Sequence, residues 1–510
     1  MNRHTSVEGA TMANPLLRTK SVEQSIADTE VVGTRLKKQL TAWDLTIFGV
    51  AVVVGAGIFT IGASTAGDFS GPAVSISFVI AAVACGLAAL CYAEFASTVP
   101  VAGSAYTFSY ATFGEFAAWI IGWDLVLEFS IAAAAVASGW SSYVGTVFHT
   151  GAPVVQIGGV KVDWGAMLIV AVLTGLLTFG AKVSSRVSAV ITAIKVAVVL
   201  LVIVVGAFYI KGSNYTPFVP ESVPGESTGF SWSNTLFQVL SGGSGSTYGW
   251  YGVLAGASIV FFAFIGFDIV ATSAEETKNA QRDVPRGILG SLAIVTVLYI
   301  AVTVVVTGMT SYKDLATSAG DGSEKNLAYA FSLNGVDWAA TIISIGALAG
   351  LTTVVMVLLM GQNRVLFAMA RDGLLPRPLA KTSDRGVPVR ISVGVGVVVA
   401  IFAGLVPLKE LASLINIGTL FAFVLVSVGV VFLRKQRPDL QRGFRAPLVP
   451  LVPILSVVAC GWLMLNLSLE TWLRFLIWMA IGVVVYFVYS MNHSVAGKRE
   501  RGEVVESLAD

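Results

Sequence analysis

The stretch Phe48-Gly-Val-Ala-Val-Val-Val-Gly55-Ala56-Gly57-Ile58-Phe59 decides how this chain is read, together with a second stretch, Phe261-Phe262-Ala263-Phe264-Ile265-Gly266-Phe267-Asp268. Both are long apolar runs interrupted by glycine. A membrane helix broken at mid-depth must satisfy its freed N–H and C=O groups within the protein, because hydrocarbon offers no partner. Two broken helices at corresponding places in two halves point to the substrate site of a secondary transporter.

The composition agrees. Of 510 residues, 55% are hydrophobic and only 12% charged, with a mean hydropathy of +0.80; soluble proteins carry roughly 25% charged residues. A net charge of +2 offers no field for nucleic acid. Cys85, Cys91 and Cys460 all lie in apolar runs, and His4, His149 and His493 are scattered, so no disulfide framework, metal site or histidine catalytic cluster is expected. No P-loop pattern, zinc motif or Ser/His/Asp arrangement occurs, which argues against an enzyme and against direct ATP driving. Residues 36–65 lack the rings expected of a channel filter. No cofactor is implied.

A span needs about 20 apolar residues. Twelve are predicted: 42–65, 73–98, 116–147, 164–181, 187–210, 251–274, 287–309, 338–362, 391–408, 411–433, 448–468 and 472–490. With the N-terminus inside, the inner segments hold 25 of the 32 Lys and Arg. The outer loops hold Lys161, Lys211, Lys313, Lys325, Lys409 and Arg474. This asymmetry predicts a multi-pass plasma-membrane protein with both termini cytosolic. The expected organisation is a cytosolic tail over 1–40, a ten-helix core over 41–433, two appended helices over 434–492 and a tail over 493–510. In the core, two blocks of five spans each open with a broken helix and enter from opposite sides, a 5+5 inverted repeat. The outer loops 211–250 and 310–337 are expected to carry short helical pieces, the inner loop 98–115 to be partly structured against the protein, and span eight to continue past Arg364.

At the first break, the half-helix beginning near Gly57 has unpaired N–H donors, and its dipole suits a carboxylate. The rival reading is close helix packing at glycine. At the sixth span, a break at Ile265-Gly266 frees the carbonyls of Phe262, Ala263 and Ile265, which suit an ammonium group. A zwitterion fits between the two. Phe262, Phe264 and Phe267 crowd this turn, and one of them would lid the pocket. Asp268 reads first as the N-cap of the inner half of span six, with gating as a second role.

Lys195 is the one basic residue that belongs to neither side. It lies nine residues past Arg186, roughly 13 Å deep at about 1.5 Å per residue. Its charge needs a carboxylate, carbonyls or a wet cavity, and a lysine that gives up a proton here would couple transport to protons. A permanently paired structural lysine is the rival reading. Asp124 and Glu128 share a helix face; Glu128, the deeper, is read as a partner of Lys195 or of a cationic substrate. Asp124 reads as a polar rim and Glu94 as an interfacial carboxylate. The hydroxyls of Thr352 and Thr353 are placed within reach of the span-one backbone, or bonded to their own helix.

The run Cys91–Tyr106 and the motif Gly122-Trp123-Asp-Leu-Val-Leu-Glu128 resemble the cationic amino acid transporter family, within the amino acid–polyamine–organocation superfamily. So do Gly55–Phe59, Phe261–Asp268 followed by Glu275-Glu276, Gly361–Arg364 and Ala370–Pro376. The C-terminal region over Pro450–Tyr489 is similar too. The resemblance covers residues 36–493. It implies an all-α, twelve-span version of the leucine-transporter fold and proton-linked or exchange transport of amino acids, as a symporter or an antiporter. By that similarity the substrate carboxylate falls to Val53, Ala56 and Gly57, and the amine to Phe262, Ala263 and Ile265. Leu351 falls at a pocket position on span eight. Lys195 matches the lysine that replaces bound sodium, and Glu128 matches the family's acidic residue in span three. Ala56 departs from the threonine of many relatives. Phe262 and Asp268 are the gate candidates, and Lys195 with Glu128 the proton-coupling candidates. The expected partners are amino acid, protons and lipid bilayer. The rival functions are a polyamine or organic-amine carrier and a receptor that binds amino acids without moving them.

Overall fold

The computed structural model describes residues 18–19, 38, 40–99, 101, 105–148, 150–151, 153–180, 185–224, 231–242, 246–317, 325–383 and 386–503. His4 and His149 lie outside them. The chain is mostly helical. Among the described residues, eight helical stretches are long and apolar enough to cross a membrane, and three shorter apolar helices accompany them.

The first helix, α1, covers Ala42–Val53 and opens on a capping box: the Thr41 hydroxyl accepts from the Asp44 amide, and the Asp44 carboxylate accepts from the Thr41 amide at 2.9 Å. After the break the chain resumes in wide turns over Gly57–Ile61 and Ala66–Ser70. Gly71, at φ +61°, reverses the chain into α2, Val74–Thr98. The short α3, Ala105–Thr112, precedes α4, Glu115–Phe148. A hairpin of Val154–Ile157 and Val160–Asp163 leads to α5, Trp164–Thr178, and then α6, Ser185–Ala207. The loop beyond α6 carries short helices at Gly212–Tyr215 and Leu236–Ser241.

The broken sixth segment begins as α7, Gly249–Val260. Next come α8, Ala280–Met309, and α9, Asp337–Arg371, which continues past Arg364 as predicted. The last long helices are α10 (Val389–Leu405), α11 (Leu408–Gln436), α12 (Leu451–Leu465) and α13 (Leu469–Val485); the short α14, Val495–Glu500, follows.

Two packing groups surround the breaks. Helix α8 lies along α1 and α2, and α4 lies along α9 and α11. Large apolar side chains such as Val204, Phe208, Val297, Val458 and Val488 stay exposed around the perimeter, as a helix set meeting lipid requires. One reading is corrected here. Glu94 is buried within the protein instead of lying at an interface: it accepts two bonds from Arg434, at 2.8 and 2.6 Å, and one from the Ala446 amide at 2.7 Å. The bidentate guanidinium neutralises the charge that burial would otherwise penalise.

Candidate functional site

Helix α1 ends at Val53 because Val54, Gly55 and Ala56 leave the α-helical pattern before Gly57 restarts it. The carbonyls freed on the α1 side have found donors. Lys195 Nζ donates to the carbonyls of Ala51, at 2.6 Å, and Val54, at 3.3 Å. Tyr299 Oη donates to Val53 at 2.7 Å. Beyond the break, Tyr143 Oη donates to Phe59 at 2.6 Å, and the Thr60 hydroxyl donates to Ala56. The amides behave differently. Among the described residues no hydrogen bond starts from the N–H of Gly55, Ala56 or Gly57. The first break therefore presents donors, and most of its acceptors are occupied.

The sixth segment narrows from α7 into a tight turn over Phe261–Phe264, then extends at Ile265 and turns at Gly266, φ +115°. It resumes as a single helical turn, Ile269–Thr272. Glycine is required at 266 twice over: that φ disfavours L side chains, and a β-carbon there would lie 2.7 Å from Val52 Cγ1. The Ile265 amide donates to the Phe262 carbonyl at 3.3 Å, so the Phe262 acceptor is partly used inside the turn. No hydrogen bond ends on the Ile265 carbonyl among the described residues.

The two breaks are pressed together. A β-carbon on Gly57 would collide with the Ala263 backbone. Val53, Ala56, Phe262, Ala263, Ile265 and Leu351 are all at most 9% exposed. Ala56 and Leu351 meet at Gly139 of α4, where an added β-carbon would find Thr60 Cγ2 at 3.1 Å, Ala56 Cβ at 3.6 Å and Leu351 Cδ1 at 4.0 Å. Of the three phenylalanines, Phe264 packs with Phe78 and Tyr299, and Phe267 with Tyr92 and Phe423. Phe262 makes none of these ring pairs, which leaves its ring to the break.

Two sequence readings are corrected, for Lys195 and Asp268, and for the threonines of span eight the own-helix alternative holds. Lys195 does not pair with Glu128; its charge is solvated by the α1 carbonyls, and Gly350 makes room, since a β-carbon there would sit 2.9 Å from Lys195 Cε. Asp268 does not cap: it precedes the turn in helical geometry without a side-chain cap bond, and both its carboxylate oxygens lack a partner. Thr352 and Thr353 bond back to Leu348 and Gly350 of their own helix.

The acidic residues gather elsewhere. Asp124, Glu128 and Asp268 are all at most 1% exposed, and no oxygen of the three has a hydrogen-bond partner. Glu128 lies within electrostatic reach of the other two. Asp124 is a buried carboxylate against Gly418 of α11, and no rim residue. The Tyr92 hydroxyl sits in the same region, and the Thr419 hydroxyl lies beside Glu128 without a bond of full hydrogen-bond geometry. Among the described residues no three His, Cys, Asp or Glu side chains are placed to hold a metal.

Tyr299, Tyr143 and Gly139 were not singled out from sequence. A tyrosine deep in a span was the available signal, because its hydroxyl needs an acceptor there.

Comparison with known proteins adds the family. A model described as amino acid permease matches residues 40–493. The chain is 44% identical over 499 residues to the branched-chain amino acid permease BcaP of Bacillus subtilis (strain 168), covering 95% of this chain and 99% of the relative. It is 43% identical to a methylthioribose transporter of the same organism, with 95% and 99% covered. It is 38% identical to cationic amino acid transporter 2, vacuolar, of Arabidopsis thaliana, with 84% of this chain and 64% of the relative covered. With two glycine-broken segments meeting inside a bundle of apolar helices, this chain belongs to the amino acid permease family.

Proposed function

We propose that the chain is a secondary active transporter of amino acids in a plasma membrane, with twelve spans, both termini cytosolic, and a 5+5 inverted repeat over 41–433 followed by two appended helices. The substrate is held by backbone: its carboxylate at Val53, Ala56 and Gly57, its amine at Phe262, Ala263 and Ile265, with Leu351 lining the pocket. The observation that carries this reading is the complementary polarity of the breaks. Among the described residues the amides of Gly55–Gly57 are unbonded and most of the carbonyls around them occupied, whereas the Ile265 carbonyl is unbonded. Such an arrangement fits a zwitterion and favours neither neutral nor basic side chains, which agrees with relatives named for branched-chain and for cationic amino acids.

Phe262 and Asp268 gate the pocket, Phe262 by its unpaired ring and Asp268 by its place after the Gly266 hinge. Coupling runs through Lys195 and Glu128. Lys195 fastens α6 to the α1 end by charge-assisted bonds to Ala51 and Val54, so loss of its proton weakens both bonds and loosens the first break. An unpaired buried carboxylate charge is costly, and Glu128, Asp268 and Asp124 have no cation beside them; protons are the natural counter-ions. Symport and exchange both use this chemistry.

The test is a thermal-shift screen of the common amino acids, then uptake of those that bind into proteoliposomes. The expected result is stabilisation by several amino acids and accumulation of at least one. Binding without uptake would favour a receptor. Binding of methylthioribose or of amines alone would overturn the zwitterion reading.

A further inference from the structure

Arg18 lies in the N-terminal tail, far in sequence from any span, yet it is only 8% exposed. Its guanidinium enters a cup built from two distant parts of the chain. Nε donates to Glu500 Oε2 at 2.8 Å, and Nη1 donates to the Met491 carbonyl at 3.3 Å. Nη1 also stands 3.8 Å from Glu115 Oε1, at the first residue of α4. Glu115 is fully buried and receives hydroxyls from Tyr110 at 3.0 Å, Tyr486 at 3.2 Å and Ser494 at 2.6 Å. Arg18 is the cation beside it. The floor of the cup is Gly497, where a β-carbon would lie 2.5 Å from Nη1 and 3.0 Å from Cζ.

The cup is itself anchored. The Val495 amide donates to the Asp372 carbonyl at 2.9 Å, and the Ser490 hydroxyl to that of Leu374 at 2.7 Å, both just past the end of α9. Tyr106 of α3 donates to the Asp372 carboxylate at 2.7 Å. The C-terminal segment is thus fastened to α9 and α4 without help from the N-terminal tail, and it offers a preformed acceptor set.

We propose that this cup is a docking site for the N-terminal tail, specific for the guanidinium of Arg18, and that docking joins both tails into one cap over the end of α4. The chemistry fits arginine and no other side chain. Two carboxylates and one carbonyl meet two nitrogens of one planar fork, Glu500 at Nε and Met491 with Glu115 at Nη1, which the point charge of lysine cannot match. The groups that bind the fork lie outside the transport site, so the cap can open and close without dismantling the pocket.

Limited trypsin digestion of the purified full-length protein reads this directly. Cleavage after Arg18 requires its side chain to leave the cup. Proteolysis of a transiently opened segment follows the population of the open form. Losing one charge-assisted bond should therefore speed cleavage after Arg18 about tenfold. The variant is Glu500→Gln, 482 residues from Arg18 in sequence and beyond the last long helix, with protease activity normalised on a free peptide. Raising salt to about 0.5 M should speed cleavage of the unmodified protein too, and that of Glu500→Gln less. Gly497→Val, which removes no charge but fills the floor, should act in the same direction at an unchanged melting temperature. Cleavage after Arg18 at the unmodified rate in both variants would overturn the proposal.

Discussion

The two breaks solve one problem in opposite ways. At the first, side chains from α6, α8 and α4 reach in to occupy carbonyls, and the amides of Gly55–Gly57 are left. At the sixth, the chain handles its own acceptors by a tight turn and a positive-φ glycine, and the Ile265 carbonyl is left. The difference teaches that a broken helix does not by itself make a site. What matters is which sign of backbone group the surrounding side chains leave unpaired. Donors remain on one side and an acceptor on the other, the asymmetry on which the proposed zwitterion site rests.

The sharpest way to break the comparison is at Gly266. Alanine there must hold a strained backbone against Val52, at a cost of about 2–3 kcal/mol. Uptake should be lost and thermal stability should fall; a variant with unaltered transport would mean that the sixth turn is not a rigid part of the site. Gly57→Val should likewise abolish uptake, but it collides with Ala263 as well as any substrate, so it tests the junction of the breaks and not the carboxylate alone.

Lys195→Ala removes the donor to two carbonyls at the first break. Accumulation driven by an imposed pH gradient should fall about tenfold or more, while exchange across proteoliposomes persists. Continued accumulation in response to that gradient would remove Lys195 from the coupling mechanism. A smaller effect is expected from Glu128→Gln. Its carboxylate has no partner to lose, so stability should change by less than about 1 kcal/mol. The pH profile of uptake, or the preference for basic substrates, should shift. If neither moves, Glu128 is structural. Tyr299→Phe should have the smallest effect. It deletes one neutral hydrogen bond, about 1 kcal/mol, and releases the Val53 carbonyl to compete for the substrate's surroundings. A several-fold rise in KM with little change in maximal rate is expected in concentration-dependent uptake.

Much of this was legible in the sequence because glycine and charge are conspicuous in apolar runs. Gly55, Gly57 and Gly266 marked both breaks, and Lys195 stood out from the distribution of basic residues. The partner of Lys195 was legible in kind, as carbonyls at the span-one break, but not by residue. It is a pair of backbone carbonyls, and no side chain advertises which carbonyl a fold will leave free. Glu128 attracted the pairing because it was the visible opposite charge. Asp268 suited an N-cap by position, but the turn delivers it in helical geometry, and its carboxylate lies near the amides of Gly266, Asp268 and Ile269 without forming a cap bond. Glu94 and Arg434 are 340 residues apart, and nothing local in either sequence context couples them.

The polarity of the two breaks makes the central claim measurable with three ligands of one side chain: an amino acid, its decarboxylated amine and its deaminated acid. Each is added in about 100-fold excess over a labelled amino acid substrate during uptake into proteoliposomes; at that ratio a ligand lacking one buried ionic contact should fail to compete. The account predicts that the amino acid alone abolishes labelled uptake, because the carboxylate needs the amides of the first break and the amine needs the carbonyl of the sixth. Equal competition by either truncated ligand would contradict it.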